Sequence, residues 1–260
     1  MHVTPKNPEN LPTFMLARIY KYNHELNSYD VIKFIAIIAM IIDHIGFYFI
    51  AENSDYFRAL GRLAAPLFFF VTGYVSKYHL KPNIFFYGFI ITGLSFDFGY
   101  GFSINILIVF FAIKWILDHW DPSQAHAFTL VIVFLLLYFL NPFYRNFVDY
   151  GLLGFAYAFC GRLLAMKTQP VLTAFLLAST LLIQLVERIF FNNNLYVALL
   201  VSVVVILLFL MMSLFQYKVF SAKPLVKNSL LIFSRYSLEI YFWHLLFFGI
   251  SFQLMNYRIL

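Results

Sequence analysis

Side by side inside a long apolar run, Asp43 and His44 are the first residues of this sequence that can do chemistry. An imidazole there can take or give a proton near neutral pH, and a neighbouring carboxylate can hold a cation or keep the imidazole basic. Arg62 follows in the next apolar run, Asn105 and Tyr150 stand near the starts of two later ones, and Tyr241 and His244 lie in the last. Imidazole, carboxylate, guanidinium, amide and phenol together suit general acid–base catalysis with stabilisation of a developing negative charge. The same groups serve equally well to relay protons or ions through a transporter or channel, the competing reading. The His and Asp spacings match no ligand motif, so no metal site is expected.

The elements that position these groups are helices in a bilayer. The stretch Asp30–Ile50 has the roughly 20 apolar residues, at about 1.5 Å each, that cross a hydrocarbon core. Of 260 residues, 62% are hydrophobic and 12% charged, against about half and a quarter in soluble domains. The apolar runs are continuous rather than alternating, which excludes an outer-membrane barrel. The reading is an all-α, polytopic transmembrane bundle of about nine spans, near 30–50, 57–76, 83–99, 102–118, 126–141, 147–166, 170–191, 195–216 and 229–255. Residues 1–29 are polar and rich in Pro and Asn and read as a cytoplasmic or interfacial leader, with the membrane domain from 30 to 260. The single cysteine, Cys160, reads as helix packing.

The formal charge of +6 records topology rather than nucleic-acid binding. With nine spans, eleven Lys and Arg fall on the N-terminal side and five on the other, which places the N-terminus in the cytoplasm. Asp43, His44, Arg62, Asn105, Tyr150, Tyr241 and His244 then share the outer half of the membrane, as one polar cavity opening outward. Lys33 shares a helical stripe with His44, about 16 Å away toward the cytoplasm. Lys33 and Arg235 there suit phosphate groups. Each group also has a structural reading: Asp43 with Arg62 as a buried ion pair, His44 or His244 bonded to a carbonyl, Asn105 and Tyr150 as interhelical contacts. Glu187–Arg188 reads as an interfacial charge pair.

The residues also carry a pattern. Asp30–Val31–Ile32–Lys33 leading to Met40–Ile41–Ile42–Asp43–His44–Ile45, then Gly61–Arg62–Leu63–Ala64–Ala65–Pro66–Leu67–Phe68, resemble the opening blocks of the TraX family of conjugative-pilin acetylases, part of a wider group of membrane acyltransferases related to acyltransferase 3. Ala65 stands where the family usually has an aromatic. Asn105–Ile106–Leu107, Tyr150–Gly151–Leu152–Leu153–Gly154 and Tyr241–Phe242–Trp243–His244–Leu245 continue the resemblance in order. The resemblance implies an acetyltransferase of the bacterial inner membrane, with cytoplasmic acetyl-CoA as donor and an amine or hydroxyl, on a pilin-like peptide or a saccharide, as acceptor. In that reading His44 is the general base, with His244 as the alternative. Asp43 pairs with Arg62, and Arg62 or Asn105 meets the oxyanion. Asn105, Tyr150 and Tyr241 line the acceptor site, and Lys33 and Arg235 hold the CoA phosphates.

Overall fold

The computed structural model describes residues 25–50, 52, 54–75, 82–97, 103–190 and 194–257. The first helix, α1, runs Ser28–Phe49 and starts on a capping box. The Asn27 side chain accepts from the backbone N–H of Tyr29 and Asp30 at 2.9 and 3.3 Å, and Asp30 Oδ2 accepts from the Asn27 N–H at 3.0 Å. A cap of this kind contributes about 1 kcal/mol by satisfying N–H groups that no earlier turn can reach. Residues Leu26–Asn27 (β1) pair antiparallel with Val219–Phe220 (β2), so a two-stranded clasp precedes the helix. Ser28 strengthens it: its Oγ donates to the Gln216 carbonyl and accepts from the Lys218 N–H, both at 2.8 Å. Of the expected leader, residues 1–24 lie outside the described residues, and the helix begins two residues before the expected boundary.

The second expected span, 57–76, is not one helix. It divides into α2, Ser54–Gly61, and α3, Ala64–Tyr74. Pro66 is the physical reason. It has no N–H for the carbonyl four residues back, which is that of Arg62, and its ring crowds that carbonyl. The chain therefore leaves the α-helix at Arg62–Leu63 and re-enters it at Ala64.

The bundle continues with α4 (Pro82–Asp97), α5 (Ile106–His119), a short 3₁₀ turn at Pro122–Gln124, and α6 (Ala127–Tyr144). Then come α7 (Leu153–Met166), α8 (Pro170–Phe190), α9 (Leu195–Ser213), α10 (Pro224–Arg235) and α11 (Ser237–Tyr257). The last expected span, 229–255, is likewise divided, at Tyr236 between α10 and α11. Among the described residues five helices are long and apolar enough to cross a membrane: Ser28–Phe49, Ala127–Tyr144, Pro170–Glu187, Leu195–Ser213 and Ser237–Met255. The protein is thus all-α in its spanning elements, and these five helices mark it as integral to a membrane.

Packing centres on α3 against α7. Their backbones come so close that a Cβ on Gly73 would lie 1.7 Å from the Ala158 carbonyl oxygen. Small residues at a crossing are how membrane helices gain contact, since lipid offers no hydrophobic drive between them. Leu67, Phe69, Phe70, Ala156, Tyr157 and Leu163 fill the interface. Outside it, Phe128, Phe139, Val171, Phe175, Leu199 and Trp243 are exposed large apolar side chains, as a lipid-facing surface requires.

Candidate functional site

Two histidines meet across 200 residues of chain. His44, near the C-terminal end of α1, and His244, on α11, are joined by a 3.0 Å hydrogen bond between His44 Nδ1 and His244 Nε2. The other ring nitrogen of His244, Nδ1, lies 2.8 Å from the Ile240 carbonyl oxygen. A carbonyl can only accept, so Nδ1 of His244 carries the proton, and in the neutral ring Nε2 is the acceptor. The bond between the rings then runs from His44 Nδ1–H to His244 Nε2. In that tautomer the lone pair of His44 lies on Nε2, and the ring is held further by a hydrogen bond to the Met40 backbone. A fixed tautomer with a lone pair on the remaining nitrogen is what a general base needs. Tyr48 and Tyr241 flank the His44 ring, with ring centroids 6.3 and 6.5 Å away.

Asp43 lies beside this pair, 8% exposed, where α2 crosses α1. Gly61 permits the crossing: a Cβ there would lie 2.2 Å from Asp43 Cβ and 2.7 Å from its Oδ1. The spacing of the Gly61–Arg62–Pro66 block thus has a physical account. Gly61 admits the Asp43 side chain, Pro66 opens the helix, and Arg62 sits at the opening. The expected Asp43–Arg62 ion pair is not formed. Asp43 Oδ1 is buried with no hydrogen-bond partner, and the two charges interact only through space. Arg62 instead places its guanidinium 5.8 Å from the centre of the Tyr150 ring, a cation–π arrangement. The divided helix is the reason, since the break turns Arg62 toward the α6–α7 loop rather than along α2.

Asn105 joins the cluster in two ways. Its Oδ1 caps α5 by accepting from the Leu107 N–H at 3.0 Å, and its Nδ2 donates to Tyr241 Oη at 2.9 Å. Tyr241 is therefore held between Asn105 and the histidine pair. Asp149 accepts from Ser103 Oγ at 2.9 Å and from the Ile106 N–H at 3.3 Å, which joins the segment before α5 to the loop before α7. A backbone bridge between Ile104 and Val148 reinforces this. The next residue, Tyr150, has φ +64°, and Gly151 has φ +54°. A non-glycine residue in the left-handed region is uncommon and costs on the order of 1 kcal/mol or more. The strain aims the Tyr150 ring at Arg62.

Beyond Tyr150 lies a cavity of about 280 Å³ between α6, α7 and α8. Its wall includes Asn141, Arg145, Asn146, Gln184 and Glu187. Glu187 accepts from Asn141 Nδ2 at 2.7 Å; its expected pairing with Arg188 involves a side chain outside those described. Asn141 Oδ1 accepts from the Leu152 N–H at 2.8 Å, so the amide is fixed at both ends. Sequence reasoning missed Asn141 and Gln184, because a lone amide in an apolar run carries no local signal.

At the other end of α1 stand Lys33, half-buried, and Arg235, exposed. Ser234 Oγ donates to Asp30 Oδ1 at 2.6 Å and brings the end of α10 against the start of α1. Asp30, the first residue of the opening motif, is thus a cap and a clamp. Also unforeseen is the ion pair of Arg162, 5% exposed on α7, with Asp121, the N-cap of the 3₁₀ turn. Burial pushes the Asp121 carboxyl up, but hydrogen bonds from Arg162 and from Ser123 outweigh it and hold it at about 2.

The site therefore unites His44, His244, Tyr241 and Asn105 by direct contact, with Asp43 and the Arg62–Tyr150 pair beside them, and leaves Lys33 and Arg235 at the far end of α1. No solved structure matches the chain. An uncharacterized protein of Rickettsia prowazekii (strain Madrid E), RP591, is 31% identical over 143 residues, which are 53% of this chain and 56% of that protein. The chain thus spans little more than half the length of this relative. The model of the TraX protein family matches residues 28–250, which include every residue of the site, and the chain belongs to that family.

Proposed function

We propose that this protein is an acetyltransferase of the bacterial cytoplasmic membrane, crossing it about nine times with its N-terminus inside. It moves an acetyl group from cytoplasmic acetyl-CoA to an amine or hydroxyl acceptor at the outer face. The observation that carries the reading is the His44–His244 pair, whose hydrogen bonds fix the tautomers and leave the lone pair of His44 on Nε2. In the reaction His44 Nε2 removes the proton of the acceptor as its nitrogen or oxygen attacks the thioester carbonyl. General-base assistance of this kind contributes roughly 10²–10⁴-fold. His244 holds the ring in register through its bond to His44 Nδ1 and, as the imidazolium forms, accepts a strengthened hydrogen bond. Tyr241 and Asn105, already bonded to each other, supply neutral donors near the histidines, and Arg62 supplies a positive charge for the developing oxyanion. Asp43 offsets the imidazolium charge from the same helix.

The donor fits the opposite end of α1. Lys33 and Arg235 present cations where α1 and α10 meet, and the phosphates of acetyl-CoA are the anions they would hold. The resemblance of the chain to pilin acetylases supports the reaction class and leaves the acceptor open. Two measurements test the reading. Purified protein in proteoliposomes with radiolabelled acetyl-CoA inside should label an acceptor outside. Acetyl-CoA should also raise the melting temperature, as a ligand of the folded state does. Neither effect would remain for a transporter that uses the same cluster to carry protons.

A further inference from the structure

We infer that the cavity between α6, α7 and α8 is the acceptor subsite, and that it takes a neutral, polyhydroxylated ring: a saccharide unit rather than a peptide amine. The consequence for catalysis rests on the acetyltransferase reading, but the binding claim stands apart from it. The first argument is charge. The wall carries one carboxylate, Glu187, and one guanidinium, Arg145, which cancel in formal charge. A second guanidinium, Arg62, stands behind the Tyr150 wall. Asp43 and Asp149 face that guanidinium in turn, so the surroundings are near neutral in formal charge and an ammonium group gains no net attraction there.

The second argument is hydrogen-bonding capacity. Glu187 uses one oxygen on Asn141 and keeps the other, and Gln184 accepts from Tyr157 and keeps its amide N–H groups. The cavity thus offers fixed acceptors and fixed donors close together, and a hydroxyl, which gives one bond and takes two, satisfies both. The third argument is shape. The space, about 280 Å³, accommodates one sugar ring, and Tyr150 supplies an aromatic face for its C–H side.

Tyr150 also connects this cavity to chemistry, because its ring is the one Arg62 covers. In the acetyltransferase reading, a ring hydroxyl directed past Tyr150 is the acceptor. Its oxygen bonds to the thioester carbon, its proton passes to His44 Nε2, the carbon–sulfur bond breaks, and that proton leaves with the thiol of CoA. The product is an O-acetyl ester.

Saturation-transfer NMR on the full chain in nanodiscs tests this with two probes, methyl β-D-glucopyranoside and alaninamide, a small cationic amine. The glycoside should bind and alaninamide should not. Glu187→Gln keeps an oxygen for Asn141 and Asn146→Ala alters an exposed loop residue, so both should fold; each should weaken glycoside binding about tenfold, or about 1.4 kcal/mol. His44→Ala should bind the glycoside as wild type does. Alaninamide binding in place of the glycoside, or glycoside binding unchanged in both cavity variants, overturns the inference. Glycoside binding without any acetyl transfer sustains the subsite and overturns the acetyltransferase reading instead.

Discussion

Two charged groupings in this bundle answer the cost of burial in opposite ways. Arg162 and Asp121 close on each other, and Ser123 fills the remaining demand of the carboxylate through its N–H and hydroxyl. Nothing there is open to a substrate. At the other end of the bundle Asp43 Oδ1 has no hydrogen-bond partner, Arg62 faces a ring instead of an acid, and the lone pair of His44 lies on Nε2. An unpaired polar atom in low dielectric costs free energy that a purely structural contact would recover. The difference separates a fastener from a site: the first is complete in the resting fold, and the second is complete only with a reacting partner.

Substitutions that remove one side of this contrast should leave the other unchanged. The largest effect belongs to His44→Ala, which should lower acetyl transfer in proteoliposomes by roughly 10²–10⁴-fold while the melting temperature stays within a few degrees. Near-normal turnover would remove His44 as the base. Asp121→Asn should do the reverse, costing about 3 kcal/mol of stability by leaving Arg162 uncompensated, with per-molecule activity retained. Equilibrium unfolding in mild detergent reads the loss, and an unaltered midpoint would show the pair to be idle. Gly61→Ala, which forces a methyl into Asp43, should cost roughly 1–3 kcal/mol and affect activity as well, because the crossing that positions Asp43 must shift.

Smaller effects sharpen the comparison. His244→Phe should lower transfer about tenfold and move the acidic limb of the pH–rate profile, whereas a residue that only packs would leave that limb in place. Acid stability should follow Asp121. Its folded value near 2 lies below the ordinary carboxylate value, so the contribution is full above about pH 4 and is lost as pH falls toward 2. Wild type and Asp121→Asn should therefore converge in stability at the acid end, and parallel curves down to pH 2 would refute the assignment.

Much of the site was legible in the sequence because its signals are local or have one cause. An acid–imidazole pair in an apolar run must face protein or water, and Pro66 marks a break four residues back at Arg62, a signal present in the sequence although the expected span ran through it. The membrane-helical class followed from composition. The partners of these residues were not legible, because they lie on other helices. Glu187 and Asn141 are 46 residues apart and Arg162 and Asp121 are 41, and only the packing of α6 against α8 and of the 3₁₀ turn against α7 decides that they meet. The break at Tyr236 involves neither proline nor glycine, so nothing in Ser234–Ser237 announces it. The Asp43–Arg62 pairing failed for a related reason, since it assumed a continuous helix through Arg62.

That joint at Tyr236 separates two mechanical duties. On one side α10 is pinned through Ser234 to Asp30, next to the clasp at Leu26–Asn27. On the other, α11 carries His244. The contact that seats α10 and the contact that joins the two imidazoles thus lie on opposite sides of Tyr236, on separate helices.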